Sequence, residues 1–189
     1  DKDATGAMAE LDAVVAKLKE RGAQRIVVGG QSMGANFSIA YAAKREGIAG
    51  VIAVAPGHLP EQQGFQGSLK GDVERAKKLI AEGKGDEKDR FNDSNQGQDR
   101  KMPATANIYF SWFDPAGLMV MPRNAAQIKS GTAFLWVVGN QDSIAQRGEA
   151  YAFARAPANP KNEYKLVSGG HTEAGANAAY AISFWLKNL

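Results

Sequence analysis

The sequence predicts an α/β protein: a mostly parallel sheet with helices on both faces. Three observations carry that reading. The runs RIVVGG at 25–30, GVIAVAPG at 50–57 and GTAFLWVVGNQD at 131–142 are apolar almost throughout rather than alternating, as strands covered on both sides must be. Segments with the three- and four-residue apolar spacing of helices stand between and around them. The strand-like runs pass into turns marked by glycine or proline, where the chain changes direction.

In chain order, residues 4–21 read as an amphipathic helix, with Met8, Leu11, Val14, Val15 and Leu18 on one face and Gly22 as its C-terminal stop. RIVVGG follows as a strand, and MGANFSIAYAAKREG as a second helix ending at Gly47. GVIAVAPG is the next strand, closed by Pro56 and Gly57. The character then changes. Residues 61–122 are polar and charged, with one evident helix in SLKGDVERAKKLIAEG, where Leu69, Val73, Ala76 and Ile80 share a face. RFNDSNQGQDRKM reads as a loop, and ANIYFSWFDPAG is dense in aromatic residues. Being short of core residues, this interval is expected to be an insertion over the sheet rather than a second domain. That divides the chain into 1–56 (first half of the core), 57–124 (cap-like insertion) and 125–189 (second half of the core). The α/β rhythm returns with the strand in GTAFLWVVGNQD, a helical stretch over 143–156 that stops before Pro157, and the strand NEYKLVSGGH. The final segment, TEAGANAAYAISFWLKNL, predicts a helix burying Ala178, Ile182, Trp185 and Leu186.

Composition removes several classes of function. Lys and Arg number 23 against 20 Asp and Glu, a net charge of +3, and no basic stripe with interleaved aromatics marks a nucleic-acid partner. No apolar run approaches the ~18 residues that a membrane span needs. There is no cysteine, so disulfides, thiolate zinc sites and cysteine nucleophiles are excluded. The two histidines, His58 and His171, are too far apart in sequence to suggest a metal site. Gly29 and Gly30 belong to neither a G-x-G-x-x-G nor a P-loop lysine pattern.

Ligands of parallel α/β sheets collect beyond the carboxyl ends of the strands, and three chemically suggestive residues fall there. Ser32 is the centre of Gly30-Gln31-Ser32-Met33-Gly34, a G-x-S-x-G with a strand before it and a helix after it. That context is the one in which the motif forms a nucleophile elbow. The two glycines are expected to be there because side chains would collide across so tight a corner. A serine hydroxyl needs a base, and His171 follows the last strand. Asp142 follows GTAFLWVVGNQ, where a carboxylate can orient an imidazole. The simpler reading of Ser32 is a helix N-cap, of Asp142 a turn residue, and of His171 a surface turn residue. Asp114 is the rival acid.

Through GQSMG, WVVGNQD and SGGH, from about residue 9 to 189, the chain resembles the C-terminal part of an α/β-hydrolase fold serine hydrolase of the esterase/lipase kind. The resemblance implies a lipase-like serine esterase with Ser32 as nucleophile, Asp142 as acid and His171 as base of a catalytic triad. It also implies 57–124 as the variable cap region, no cofactor, and a small-molecule ester as substrate. Met33 N–H, next after the nucleophile, is the implied first donor of the oxyanion hole. The chain departs from the family pattern at its start: strands that normally precede the nucleophile strand, and the loop that carries the second oxyanion donor, have no counterpart here. RIVVGG would then be a bare sheet edge, so an N-terminal segment or partner chain is expected to complete the sheet. Gln31, His58, Trp112 and Phe113 are weaker candidates for substrate contact, His58 more as a pocket-rim or structural residue. Tyr109, Phe110, Trp112 and Phe113 read first as core. A non-catalytic binding protein and a thioesterase, dienelactone or perhydrolase relative are the alternatives.

Overall fold

A computed structural model describes residues 2–95 and 97–189. In chain order the elements are α1 (Ala4–Glu20), β1 (Val27–Gln31), α2 (Met33–Lys44), β2 (Gly50–Val54), α3 (Gln63–Gln66), α4 (Lys70–Ala81), β3 (Lys88–Asn95), β4 (Gln98–Thr105), α5 (Ala106–Phe113), α6 (Met121–Ala126), β5 (Ala133–Gly139), β6 (Glu163–Val167), α7 (Ala174–Asn177) and α8 (Ala179–Lys187). They form two compact units, one of residues up to Lys17 with Leu59–Val120, the other of Leu18–His58 with Met121–Leu189.

The second unit holds the sheet, in the order β1-β2-β5-β6 and parallel throughout. Every residue of the two central strands is buried, whereas the outer strands β1 and β6 are only partly covered. This is why the sequence of the central pair is apolar without alternation. On one face Ile52, Val54, Leu135 and Val137 pack with Ala174 of α7, Trp185 of α8 and Ala178 between the two helices. Phe134 and Trp136 alternate to the opposite face, where Phe153 and Tyr164 lie against them. α2 runs along β1 and β2 and meets α6.

The first unit is built on α4, α5 and the antiparallel pair β3–β4, registered from Lys88↔Thr105 to Asn95↔Gln98. Its core is Leu69, Val73, Ala76, Phe91, Ala106, Tyr109 and Phe113. The rings of Phe91, Tyr109 and Phe113 stack with centroids 4.5 and 4.3 Å apart. Asp72 on α4 joins this helix to both strands: its carboxylate accepts from Arg75, from Asn92 N–H at 2.6 Å and from Lys101 Nζ at 3.0 Å.

Several sequence expectations are corrected. Of the segment read as a loop at 90–102, residues 90–95 lie on β3 and 98–102 on β4, while Gln96 lies outside the described residues. Only Phe91 of β3 is fully buried, so polar residues predominate and no apolar alternation announces the strand. The helix expected over 143–156 is instead three short 3₁₀ turns, Ser143–Arg147, Glu149–Tyr151 and Phe153–Arg155. Gly148, at φ 61° and ψ −173°, breaks the first from the second. The C-terminal helix is interrupted at Ala178, and Leu186 is exposed rather than part of the buried stripe. In α1 the buried residues are Ala4, Met8 and Val15, while Val14 and Leu18 face solvent. The start of α1 groups with Leu59–Val120 rather than with the first half of the core. Ala4 N–H donates to Ser111 Oγ, and the Trp112 indole N–H donates to the Lys2 carbonyl, both at 3.0 Å.

Candidate active site

A single residue, Ser32, separates the end of β1 from the start of α2. Its backbone stands at φ 56°, ψ −123°, a conformation that non-glycine residues rarely adopt and that surrounding structure must enforce. Here the enforcement is visible. Ser32 N–H donates to the Val54 carbonyl at 3.0 Å, and the Ser32 carbonyl accepts from Ala35 N–H, Asn36 N–H and Gly57 N–H. The hydroxyl makes no capping bond to the helix. It lies 2.9 Å from Nε2 of His171.

The two glycines of the motif differ. A Cβ on Gly30 would fall 2.5 Å from the carbonyl carbon and oxygen of Gly34, so β1 can meet α2 this closely only through a bare backbone. A Cβ on Gly34 would meet nothing within 4 Å. The expectation that both flanking positions exclude side chains therefore holds for Gly30 and fails for Gly34.

His171 follows β6 across Ser168, Gly169 and Gly170, and its Nδ1 lies 2.7 Å from Asp142 Oδ2. Asp142 is 6% exposed, and its other oxygen accepts from Ile144 N–H at 3.1 Å. In the tautomer that lets Nδ1–H donate to the Asp142 carboxylate, which only accepts when ionised, the Nε2 lone pair of a neutral imidazole faces Ser32. The loops bearing acid and imidazole touch backbone to backbone: a Cβ on Gly139 would fall 2.3 Å from the Gly169 carbonyl oxygen. Asn140 N–H donates to Val167 and Gln141 N–H to Gly169. Asp114, the rival acid, lies in the other unit, where one of its carboxylate oxygens accepts from Ala116 N–H in a local turn.

The segment after β2 presses on the same serine. Ala55 and His58 have φ of 41° and 64°, and between them a Cβ on Gly57 would sit 3.0 Å from Ser32 Oγ and 3.5 Å from His171 Cε1. The fully buried Asn36 donates from its side-chain amide to the His58 carbonyl at 2.6 Å, tying this segment to α2. Asn36 was not singled out from sequence, and Gly57 was read only as the stop of a strand, because neither belongs to the motif.

Of the remaining candidates, Met33 opens α2 and is 44% exposed; its N–H lies in the first helical turn, where backbone donors lack intrahelical partners. Gln31 Nε2 donates to the His171 carbonyl. Trp112 and Phe113 lie in the other unit. Phe113 is buried there in the aromatic stack, so the core reading describes it rather than substrate contact. Among the described residues, no group of three or more His, Asp or Glu side chains is placed to hold a metal ion.

Comparison with known proteins matches residues 2–172 to a family model described as serine aminopeptidase, S33. No curated protein sequence matches the chain. Among solved structures, the monoacylglycerol lipase of Paleococcus ferrophilus superposes with a TM-score of 0.64 at 21% identity, over 98% of this chain and 75% of that one. A carboxyl esterase from Bacillus coagulans gives 0.66 at 15% identity, over 98% and 71%. A thioesterase domain from the curacin biosynthetic pathway gives 0.54 at 18% identity, over 98% and 73%. At these identities the likeness establishes the α/β-hydrolase fold, with this chain corresponding to about three quarters of each structure.

Proposed function

The chain belongs to the serine aminopeptidase S33 family of α/β hydrolases, and on that premise we propose that it cleaves small carboxylic esters through an acyl-enzyme intermediate. The observation that carries the proposal is the unbroken line from Ser32 Oγ through His171 to Asp142, with links of 2.9 and 2.7 Å. In this reading Ser32 Oγ attacks the ester carbonyl as its proton passes to His171 Nε2. Asp142 stabilises the resulting imidazolium, and Met33 N–H donates to the tetrahedral oxyanion. Collapse breaks the C–O bond, and the leaving alkoxide takes the proton from Nε2. Water, deprotonated by the same nitrogen, then attacks the acyl group, releasing the carboxylic acid and regenerating the serine.

Esters are favoured over amides because a lipase and a carboxyl esterase are among the structural neighbours. The family description favours peptides, and the thioesterase neighbour favours thioesters. An open edge on β1, which among the described residues pairs only with β2, supports completion of the sheet by an N-terminal segment or a partner chain.

A fluorophosphonate probe is expected to label Ser32, and Ser32→Ala to abolish labelling and lower p-nitrophenyl ester turnover by at least ~1,000-fold. Unchanged hydrolysis by that variant would remove Ser32 from the mechanism. Protein that ignores the probe yet binds a ligand would point to a non-catalytic role. Parallel assays on aminoacyl anilides and acyl thioesters rank the three substrate classes.

A further inference from the structure

We propose that Gln31 is a positioning residue that sets the distance between Ser32 and His171 by holding the backbone of the histidine loop. The proposal rests on the serine-hydrolase reading above. Gln31 is the last residue of β1 and is joined directly to Ser32. Its Nε2–H donates to the His171 carbonyl at 2.9 Å, across 140 positions of sequence. The Oε1 side of the same amide lies along α7, where a Cβ on Gly175 would come within 3.1 Å of it. The amide is therefore seated between the imidazole-bearing loop and the following helix, with a glycine making the room.

The remaining hydrogen bonds of this loop divide the work. Asn140 N–H to Val167 at 2.8 Å, Gln141 N–H to Gly169 at 3.0 Å, and Gly169 N–H to Asn140 Oδ1 at 3.2 Å fasten it to the end of β5, the side of the acid. Gly170 N–H to Glu173 Oε2 and Asn177 Nδ2 to the Ser168 carbonyl fasten it to the segment that follows. These bonds fix His171 relative to Asp142. The Gln31 amide fixes it relative to the serine, because it bonds the backbone of His171 from the residue next to the nucleophile. Loss of that donor is expected to leave the carboxylate–imidazole pair intact while the imidazole drifts from the hydroxyl. Misplacement of a reacting group by about 1 Å costs on the order of 100-fold.

Gln31→Met keeps the length and removes the donor, and since Gln31 is exposed the change opens no cavity. The expected result is a fall of about 10- to 100-fold in kcat for a short p-nitrophenyl ester and in the rate of fluorophosphonate labelling, with KM unchanged. The NMR signal of the His171 Nδ1 proton, which reports the bond to Asp142, stays at its wild-type position, because that bond is undisturbed. Gln31→Lys, which restores a donor, recovers most of the lost labelling rate. Should Gln31→Met fail to fold, Gln31→Glu, of the same shape but without a donor when ionised, is read in the same way. Wild-type labelling rates in the donor-less variant would overturn the proposal. So would a shifted or lost Nδ1-proton signal of His171, which would mark disorder of the whole loop, or a Lys variant as slow as the Met one. Wild-type protein that does not label at all would sink the serine-hydrolase reading and this one with it; labelling that ignores position 31 would sink this one alone.

Discussion

Ser32, Ala55 and His58 are the non-glycine residues with positive φ among those described, and the last two flank Gly57, where a Cβ would sit 3.0 Å from the Ser32 hydroxyl. Each such conformation costs of order 1–3 kcal/mol, so the site is held by its neighbours and not by local preference. Gly30 and Gly34 separate those contributions experimentally. Gly30→Ala drives a methyl group into the Gly34 carbonyl and is expected to destabilise the fold by about 1–3 kcal/mol, with ester turnover lost. Gly34→Ala meets open space inside the first turn of α2. It is expected to leave turnover intact and to shift stability by no more than about 1 kcal/mol, in the favourable direction. Denaturant midpoints and turnover of the two variants, measured side by side, check this. The motif made Ser32 legible in the sequence, but two identical letters within it hid unequal roles, because the letters do not record what faces them.

At the scale of elements, the β3–β4 pair was the least legible part of the chain. Its strands hold to α4 through Phe91 and through a charge cluster, and charges at irregular spacing carry no periodic signal. Arg75 stacks over the Phe91 ring at 4.3 Å and bonds Asp72 and Asp89. Burial pushes the Asp72 carboxyl upward, but hydrogen bonds from Asn92 N–H, Lys101 and Arg75 together outweigh it and hold the group below its ordinary 3.8. A carboxyl depressed on folding contributes stability that is fully present above its unfolded value and is lost as pH falls through its folded one. Urea unfolding followed from about pH 6 to about pH 3 should therefore show a loss concentrated below the ordinary carboxylate value. Asp72→Asn, less stable at neutral pH, should lose that part of the slope. An identical slope in the variant would show that the acid sensitivity arises elsewhere.

Across the whole molecule, β2 and β5 were readable because burial on both faces writes itself as unbroken apolar runs, whereas the partly covered β1 and β6 were readable from short strand-like stretches running into glycine turns. The convergence of Ser32, Asp142 and His171 was readable because parallel strands bring their carboxyl ends to one rim. What escaped was decided by backbone contacts across long sequence separations, such as Gly139 on Gly169 and Gly57 on Ser32. The same burial gradient predicts dynamics. Native-state hydrogen exchange should find the slowest amides in β2 and β5 and faster exchange in β1 and β6, since opening free energies rise with burial. Equal protection across all four strands would contradict that gradient.

Gly57 bears on how such a protein can change. A Cβ there would sit 3.0 Å from Ser32 Oγ, close enough that the hydroxyl would have to give way slightly, while the 3.5 Å to His171 Cε1 is ordinary contact. On the proposed hydrolase reading, any side chain at position 57 crowds the serine first, so changes in the size of substrate accepted are expected to arise at other positions.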